Sequence, residues 1–358
     1  LKGGDQLNRV SRLNSKYYYI ENILEELDAP GEWFFDKETG QLAVIPPENV
    51  DLNTANIEFV QNQSLFELKG TTSQCIKNWN FEDLIFTQTA RTILEPFEPL
   101  LRGDWSIARF GAIMFEKAEN CLIKNCIFTN LGGNGIFLSG YQRNITIEEC
   151  KFTNLGESGI CLVGHMDAVR SPSIEYSHSL TWDQIDRTPG PQSDNYPKDC
   201  ILQNNLIHDI GLINKQTAAV FISMAENIHV LHNTMYHMPR AGICINDGCW
   251  GGHLIQDNFI FDTVRETGDH GPFNSWGRDR HWQTTRYITN RAEELHAKEY
   301  AKLDCWKEIL IDHNRFEHRR GHCWGIDLDD GSSHYQITNN FTQGISLKLR
   351  EGFFRTVE

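Results

Sequence analysis

One short pattern recurs seven times along the chain, and a unit of that length constrains the fold before any single residue is considered. The copies are LIKNCIF (Leu122 to Phe128), ITIEECKF (Ile145 to Phe152), ILQNNLI (Ile201 to Ile207), HVLHNTM (His229 to Met235), LIQDNFI (Leu254 to Ile260), LIDHNRF (Leu310 to Phe316) and YQITNNF (Tyr335 to Phe341). The steps are 24 residues from Cys126 to Cys150, 28 from Asn205 to Asn233, 25 from Asn233 to Asn258 and 26 from Asn314 to Asn340. Two steps are longer, 55 from Cys150 to Asn205 and 56 from Asn258 to Asn314, and each reads as one coil plus an insertion. A period in the twenties marks a solenoid, in which each repeat buries its apolar face only against its neighbours.

A second apolar run follows most copies: GIFLSG (Gly135 to Gly140), GICLVG (Gly159 to Gly164), AVFIS (Ala219 to Ser223), GICIND (Gly242 to Asp247) and GIDLDD (Gly325 to Asp330). Alternation at period two means strand, with Ile and Leu inward and the residues between them outward. Two or three short strands per coil, with no LxxLxL signature and no helix per repeat, predict an all-β right-handed parallel β-helix. Asn205, Asn233, Asn258, Asn314 and Asn340 then fall in register. They read as a buried ladder of amides that satisfies turn backbone, against the alternative of ordinary exposed turn asparagines.

The first residues differ. EWFFDKETGQLAVIPPE (Glu32 to Glu48) has two apolar runs around Lys37 to Gly40, a hairpin signal closed by Pro46 and Pro47. The expected division is an N-terminal β cap or insertion over 1–75 and one elongated β-helix over 76–358.

Composition narrows the partners. A net charge of -15 argues against a nucleic-acid backbone and weakly against a polyanionic substrate. No apolar run is long enough to span a membrane. The chain starts at Leu1 without a signal region, and the expected setting is secreted or periplasmic in a bacterial-type cell. Ten Cys without CxxC pairs argue against a zinc ribbon, and no disulfide can be assigned. Cys126, Cys150, Cys161 and Cys244 occupy repeat positions and read as stacked small apolar residues. Oligomer state is not legible.

The two insertions, His165 to Lys198 and Gly277 to Lys307, both follow the strand of the second run. Insertions at one turn of a solenoid pile up on one edge and wall a groove there. The second contains a helix signal, NRAEELHAKEYAKL, with Asn290 and Glu293 as a capping-box-like start.

Outward positions beside that groove carry carboxylates: Asn246-Asp247, then Asp269-His270, then Asp327, Asp329 and Asp330. Stacked parallel strands lie about 4.8 Å apart. Acidic side chains on adjacent coils would sit about 5 Å apart, and farther with a coil skipped. Those are the separations that glycoside hydrolysis uses, about 5 to 5.5 Å or about 6.5 to 9.5 Å. Like charges this close push one pKa upward and so provide a general acid. Around them, DHGPFNSWGRDRHW brings His270, Asn274, Trp276, Arg278, Arg280, His281 and Trp282. His322, Trp324 and His334 come from a later coil, and Trp250 follows Asp247. Trp can face a sugar ring while Arg, His and Asn bind hydroxyls. The competing readings are Asp-rich turns and a structural Ca²⁺ site of Asp oxygens.

On these residues the chain resembles the right-handed parallel β-helix proteins of carbohydrate degradation. It is most similar to those around glycoside hydrolase family 141, and more distantly to the family 120 xylosidases. ENILEELDAPGEWFFDKETGQLAVIPP (Glu21 to Pro47), TGDHGPFNSWGRDRHW and GIDLDDGSSHYQITNN (Gly325 to Asn340) carry the resemblance, which covers nearly the whole chain. It departs at the start, where the usual opening coil is absent, and at Gly277 to Lys307, which is longer. The resemblance implies hydrolysis by two acids, Asp269 and Asp327, with Asp329 and Asp330 as alternatives for the second; the leading expectation is a glycosidase on a plant or algal oligosaccharide or polysaccharide, with no cofactor beyond a possible Ca²⁺. The expected substrate contacts are Asp247, Trp250, His270, Asn274, Trp276, Arg278, Arg280, Trp324 and His334. A polysaccharide lyase, with Ca²⁺ held by the Asp cluster and a Lys or Arg as its base (Arg278, Arg280, Arg319 and Arg320 are on offer), and a non-catalytic glycan-binding solenoid are the alternatives.

Overall fold

The structure is a computed structural model. It describes residues 20–71, 73–101, 105–172, 180–181, 183–277, 279–280, 282, 291–318 and 323–358, with side chains of the one α-helix from residue 297 onward. Two compact units emerge among the described residues, one within 20–60 and one within 61–358. In the first, Trp33–Phe35 pairs antiparallel with Leu42–Val44, the hairpin expected from the sequence. Its turn is closed by Asp36, whose carboxylate accepts from the Glu38 and Thr39 backbone amides and from the Thr39 hydroxyl.

In the second unit three strands per coil stack into columns, and every pairing between coils is parallel. One column runs Phe66–Lys69, Ile113–Glu119, Ile136–Arg143, Ile160–Val163, Ala218–Ser223, Ala241–Asn246, Phe273–Trp276, Trp324–Asp329 and Ser346–Leu349. We call this the groove column. A second holds Leu122–Lys124, Thr146–Glu148, Pro197–Gln203, Glu226–Leu231, Leu254–Gln256, Ile309–Asp312 and Tyr335–Thr338, continuous with the first as one 19-stranded sheet. The third is a separate eight-stranded sheet from Ile85–Thr89 to Phe341–Gln343. Each recurrent motif is thus a second-column strand, a turn and a third-column strand. The coils begin earlier than the boundary expected at residue 76, because Phe66–Lys69 already pairs with Ile113–Glu119.

Register follows from the apolar pattern. Ile123, Ile147, Leu202, Val230, Ile255, Ile311 and Ile337 align rung on rung and are buried. A slip of one residue would turn that set to solvent. In the third sheet Phe86, Phe128 and Phe152 stack at 4.7 and 4.6 Å.

The amide ladder is present. Asn233 Nδ2 donates to Asn258 Oδ1 at 3.0 Å and Asn258 Nδ2 to Asn314 Oδ1 at 2.9 Å. The backbone amides of Asn205, Asn233, Asn258 and Asn314 each donate to the Oδ1 of the next coil's Asn at 2.9 to 3.0 Å. Cys150 ends the row, its amide donating to Asn205 Oδ1. The residue before each rung is left-handed: Asn204, His232, Asp257, His313 and Asn339 have φ between 53 and 56°. Asn, Asp and His tolerate that region best, which explains the recurrent polar pair in the motif.

Both insertions leave the coil after a groove-column strand, as expected. The helix spans Arg291–Asp304; its predicted start at Asn290 and the Glu293 side chain lie outside the described residues. Arg280, expected to bind substrate, instead pins the two insertions together. Only 1 % exposed, it donates to the carbonyls of Asp186, Thr188, Gly190 and Leu303 and pairs with Asp304 at 2.9 Å.

Among the described residues no disulfide links the ten cysteines, eight of which are buried. No helix among the described residues is long and apolar enough to cross a membrane.

Candidate active site

Outward positions of the groove column change character along the stack. Phe137, Cys161, Phe221 and Cys244 align first, and Asn274, Asp327 and Lys348 continue the same line. Beside it run Asn246, Trp276 and Asp329. The neighbours of Asp327 on the strands are therefore an amide and an ammonium. This corrects the expectation of acidic groups at equal height on adjacent rungs. Asp269 arrives from the loop ahead of Phe273–Trp276, at a left-handed φ of 56°.

Lys348 gathers the acids. Its Nζ lies 3.2 Å from Asp327 Oδ1, 3.3 Å from Asp269 Oδ1 and 3.3 Å from Asp329 Oδ2. The Asp269 and Asp327 oxygens therefore lie no more than about 6.5 Å apart. Trp324 Nε1 donates to Asp269 Oδ1 at 2.8 Å, and the Lys348 ammonium lies 5.6 Å from the Trp324 ring. Lys348 escaped the sequence reading because it follows the last copy of the motif. Its one signal was the alternation ISLKLR, which continues the outward line.

The acids differ in environment. Asp327 has no exposed surface, and Asn274 Nδ2 donates to its Oδ2 at 2.9 Å. Burial pushes its carboxyl up to about 7, against the pull of Lys348 and helped by the charges of Asp329 and Asp269. The Asp269 side chain is 71 % exposed. Its partial burial opposes ionisation, but the Trp324 hydrogen bond and Lys348 outweigh it and hold the carboxyl below its ordinary value. Lys348 loses water by burial, yet the three carboxylates hold its ammonium above the usual lysine value.

Asp329, 19 % exposed, also accepts from Arg350 Nη1 at 3.0 Å, and Arg350 pairs with buried Asp330 at 2.9 Å. His270 is half-buried beside Thr267 Oγ1 at 3.0 Å. Asn274 is buried under Arg240, whose Nη2 donates to its Oδ1 at 3.4 Å. Half-buried His334 sits 3.0 Å from the Cys305 carbonyl. Three more expected substrate contacts are corrected by burial. Trp250 packs on Tyr196 at 4.2 Å, Trp276 lies beneath Trp105 at 6.0 Å, and Asp247 is enclosed in the turn after Ala241–Asn246. Arg278, His281, Arg319, Arg320 and His322 lie outside the described residues. Calcium fits poorly among the three acids, because their shared centre is filled by the Lys348 ammonium at more than 3 Å, whereas Ca²⁺ takes oxygens at about 2.3 to 2.6 Å.

The fold and these rungs define a right-handed parallel β-helix with an acidic cluster on its groove column. The family described as a right-handed β-helix region matches residues 108–259. A solved structure titled "Glycoside hydrolase" superposes with a TM-score of 0.63 at 15% identity, covering 93% of this chain and 57% of its own. That likeness shows the fold, and this chain spans little more than half of that protein. The A-module of the mannuronan C-5 epimerase AlgE6 from Azotobacter vinelandii gives 0.44 at 11% identity over 79% of this chain and 58% of its own. The alginate lyase from Paenibacillus sp. gives 0.35 at 9% over 80% and 85%. No curated protein matches the chain.

Proposed function

We propose that the chain is a glycosidase acting on a plant or algal oligosaccharide or polysaccharide, in line with its resemblance to families 141 and 120. The observation that carries the reading is the pair of carboxyls joined through Lys348, one held ionised and the other pushed to about 7. Separated pKa values in neighbouring acids mark acid and base roles. Asp327, protonated near neutrality, gives its proton to the leaving glycosidic oxygen. Asp269, ionised, attacks the anomeric carbon, and the Asp327 carboxylate then takes a proton from the water that releases the sugar. Carboxylate oxygens within about 6.5 Å of each other are within reach of a single glycosidic bond.

Asp327 is buried and Asp329 keeps exposed surface on the same Lys348 ammonium. Asp329 is therefore the alternative for the second carboxylate. Lys348 weakens the lyase alternative, since three carboxylates hold it protonated and unfit as a base. An extracellular setting accords with a polysaccharide substrate and belongs to the same proposal.

A screen of aryl glycosides tests the activity, with nuclear magnetic resonance on the first anomer released. Asp269→Asn and Asp327→Asn should each lower turnover by orders of magnitude with unchanged circular dichroism. Full turnover in Asp327→Asn with loss in Asp329→Asn would move the acid role, and full turnover in all three variants would remove the proposal.

A further inference from the structure

We propose that Arg240 is a positioning residue for Asp327: by holding the Asn274 amide in one orientation, it confines the Asp327 proton to Oδ1, the oxygen beside Lys348. The inference rests on the glycosidase reading for the use to which that proton is put. It rests on separate observations for where the proton sits.

An asparagine amide offers an acceptor on one side and a donor on the other, and its two orientations fill the same space. A neighbour that can only donate decides between them. Asn274 is 2 % exposed and lies between Arg240 and Asp327. A guanidinium has no acceptor. The Asn274 oxygen therefore turns to Arg240 Nη2, at 3.4 Å, and its Nδ2 faces Asp327 Oδ2, at 2.9 Å. In a neutral carboxyl the carbonyl oxygen accepts better than the hydroxyl. Oδ2 is thereby kept as the carbonyl, and the proton stays on Oδ1, which lies 3.2 Å from the Lys348 ammonium that also gathers Asp269 and Asp329. In the reversed orientation the Asn274 oxygen would meet Oδ2, accept its proton and strand it between two buried side chains.

Arg240 is itself held. It precedes the strand Ala241–Asn246 and is 9 % exposed. Its guanidinium lies 4.7 Å from the centre of the Trp105 ring and 5.9 Å from that of Trp276. The two rings stand 6.0 Å apart at 28°, and Trp105 covers the outward line of the groove column, stacked on Phe221 at 4.5 Å. Aromatic rings attract a cation most strongly where water is excluded. The charge thus stays buried and aimed at Asn274. The other charged groups acting on Asp327 are Lys348 from Ser346–Leu349, Asp329 from its own strand and Asp269 from the loop ahead of Phe273–Trp276. Behind them, Arg350 pairs with Asp329, and His270 acts on Asp269.

The test is a carbon-13 nuclear magnetic resonance titration of the carboxyl signals, with that of Asp327 assigned by its loss in Asp327→Asn. Arg240→Met leaves the amide free to reverse. Arg240→Gln does the same with a polar group in place, because it offers donor and acceptor alike. In whichever of the two folds, the Asp327 midpoint should rise by at least about 0.5 pH unit. Turnover of an aryl glycoside should fall about tenfold with KM within about twofold. Each substitution is repeated in an Asn274→Leu background. A direct effect of the lost charge would persist there, whereas an effect carried by the amide vanishes. A midpoint within about 0.2 unit of the wild type, or a shift of equal size in the Asn274→Leu background, would overturn the inference. Failure of the glycosidase reading shows differently: the midpoint moves as stated, while the wild-type protein releases no sugar from any aryl glycoside.

Discussion

At the scale of single residues, the account turns on two aspartates with opposite proton affinities. Asp327 binds its proton more tightly when folded, at about 7, than when unfolded, at about 3.9. It therefore stabilises the fold fully below the unfolded value, and that contribution is lost as pH rises through 7. Asp269, held below its ordinary value, does the reverse and loses its contribution on acidification. Thermal unfolding from about pH 5 to about pH 8 should show a decline that Asp327→Asn flattens; a decline of equal size in the variant would refute the assignment. The same two groups predict a bell-shaped rate profile whose alkaline limb falls near 7 and whose acid limb lies below the ordinary aspartate value. Lys348 lowers both carboxyls, so Lys348→Met should move both limbs to higher pH and slow turnover by about 10²-fold. Limbs that stay in place would show that the ammonium does not tune the pair. Asp269 and Asp327 were legible as candidates because they stand in short acidic, aromatic segments. Their geometry was not, because Asp269 sits on a loop whose path no periodicity specifies, and Lys348 joins them from a coil beyond the motif.

At the scale of elements, the coils were the most legible feature, since each rung repeats the same demand: Ile or Leu inward, a left-handed polar residue, then an amide. The Asn258 amide group gives and receives bonds on two coils and meets the carbonyls of Val230 and Gln256. Asn258→Ala should destabilise the protein by about 2 to 4 kcal/mol, because it strands several buried backbone groups. A shift in the chemical denaturation midpoint corresponding to less than about 1 kcal/mol would mean that water replaces the amide. Insertions resist such reading. Their position followed from the spacing, but Arg280 looked like a substrate ligand in sequence because nothing local shows that four carbonyls from two distant segments converge on it. Arg280→Ala should expose both insertions to limited proteolysis while the coils stay intact. Equal digestion of variant and wild type would contradict the pinning role.

At the scale of the whole molecule, covering decides what the scaffold can do. The outward residues Phe137, Cys161, Phe221 and Cys244 of the groove column are roofed, as apolar residues on both faces of a parallel sheet require. Eight thiols are buried, five in the inner core of the coils and three under the roof, so a thiol reagent should label at most the half-buried Cys75 and Cys323 in the native protein and all ten after unfolding. Fast native labelling of more than two would mean that the coils open. The central claim is that Asp327 donates the proton while Asp269 makes the bond. It is tested most directly by turnover of Asp327→Asn and Asp269→Asn on two aryl glycosides of the same sugar, one with a dinitrophenyl leaving group and one with a phenyl group. A leaving group that needs no proton should restore Asp327→Asn at least a hundredfold relative to the phenyl glycoside, and should leave Asp269→Asn inactive on both. Equal loss on both substrates in Asp327→Asn, or restoration of Asp269→Asn instead, would contradict the account.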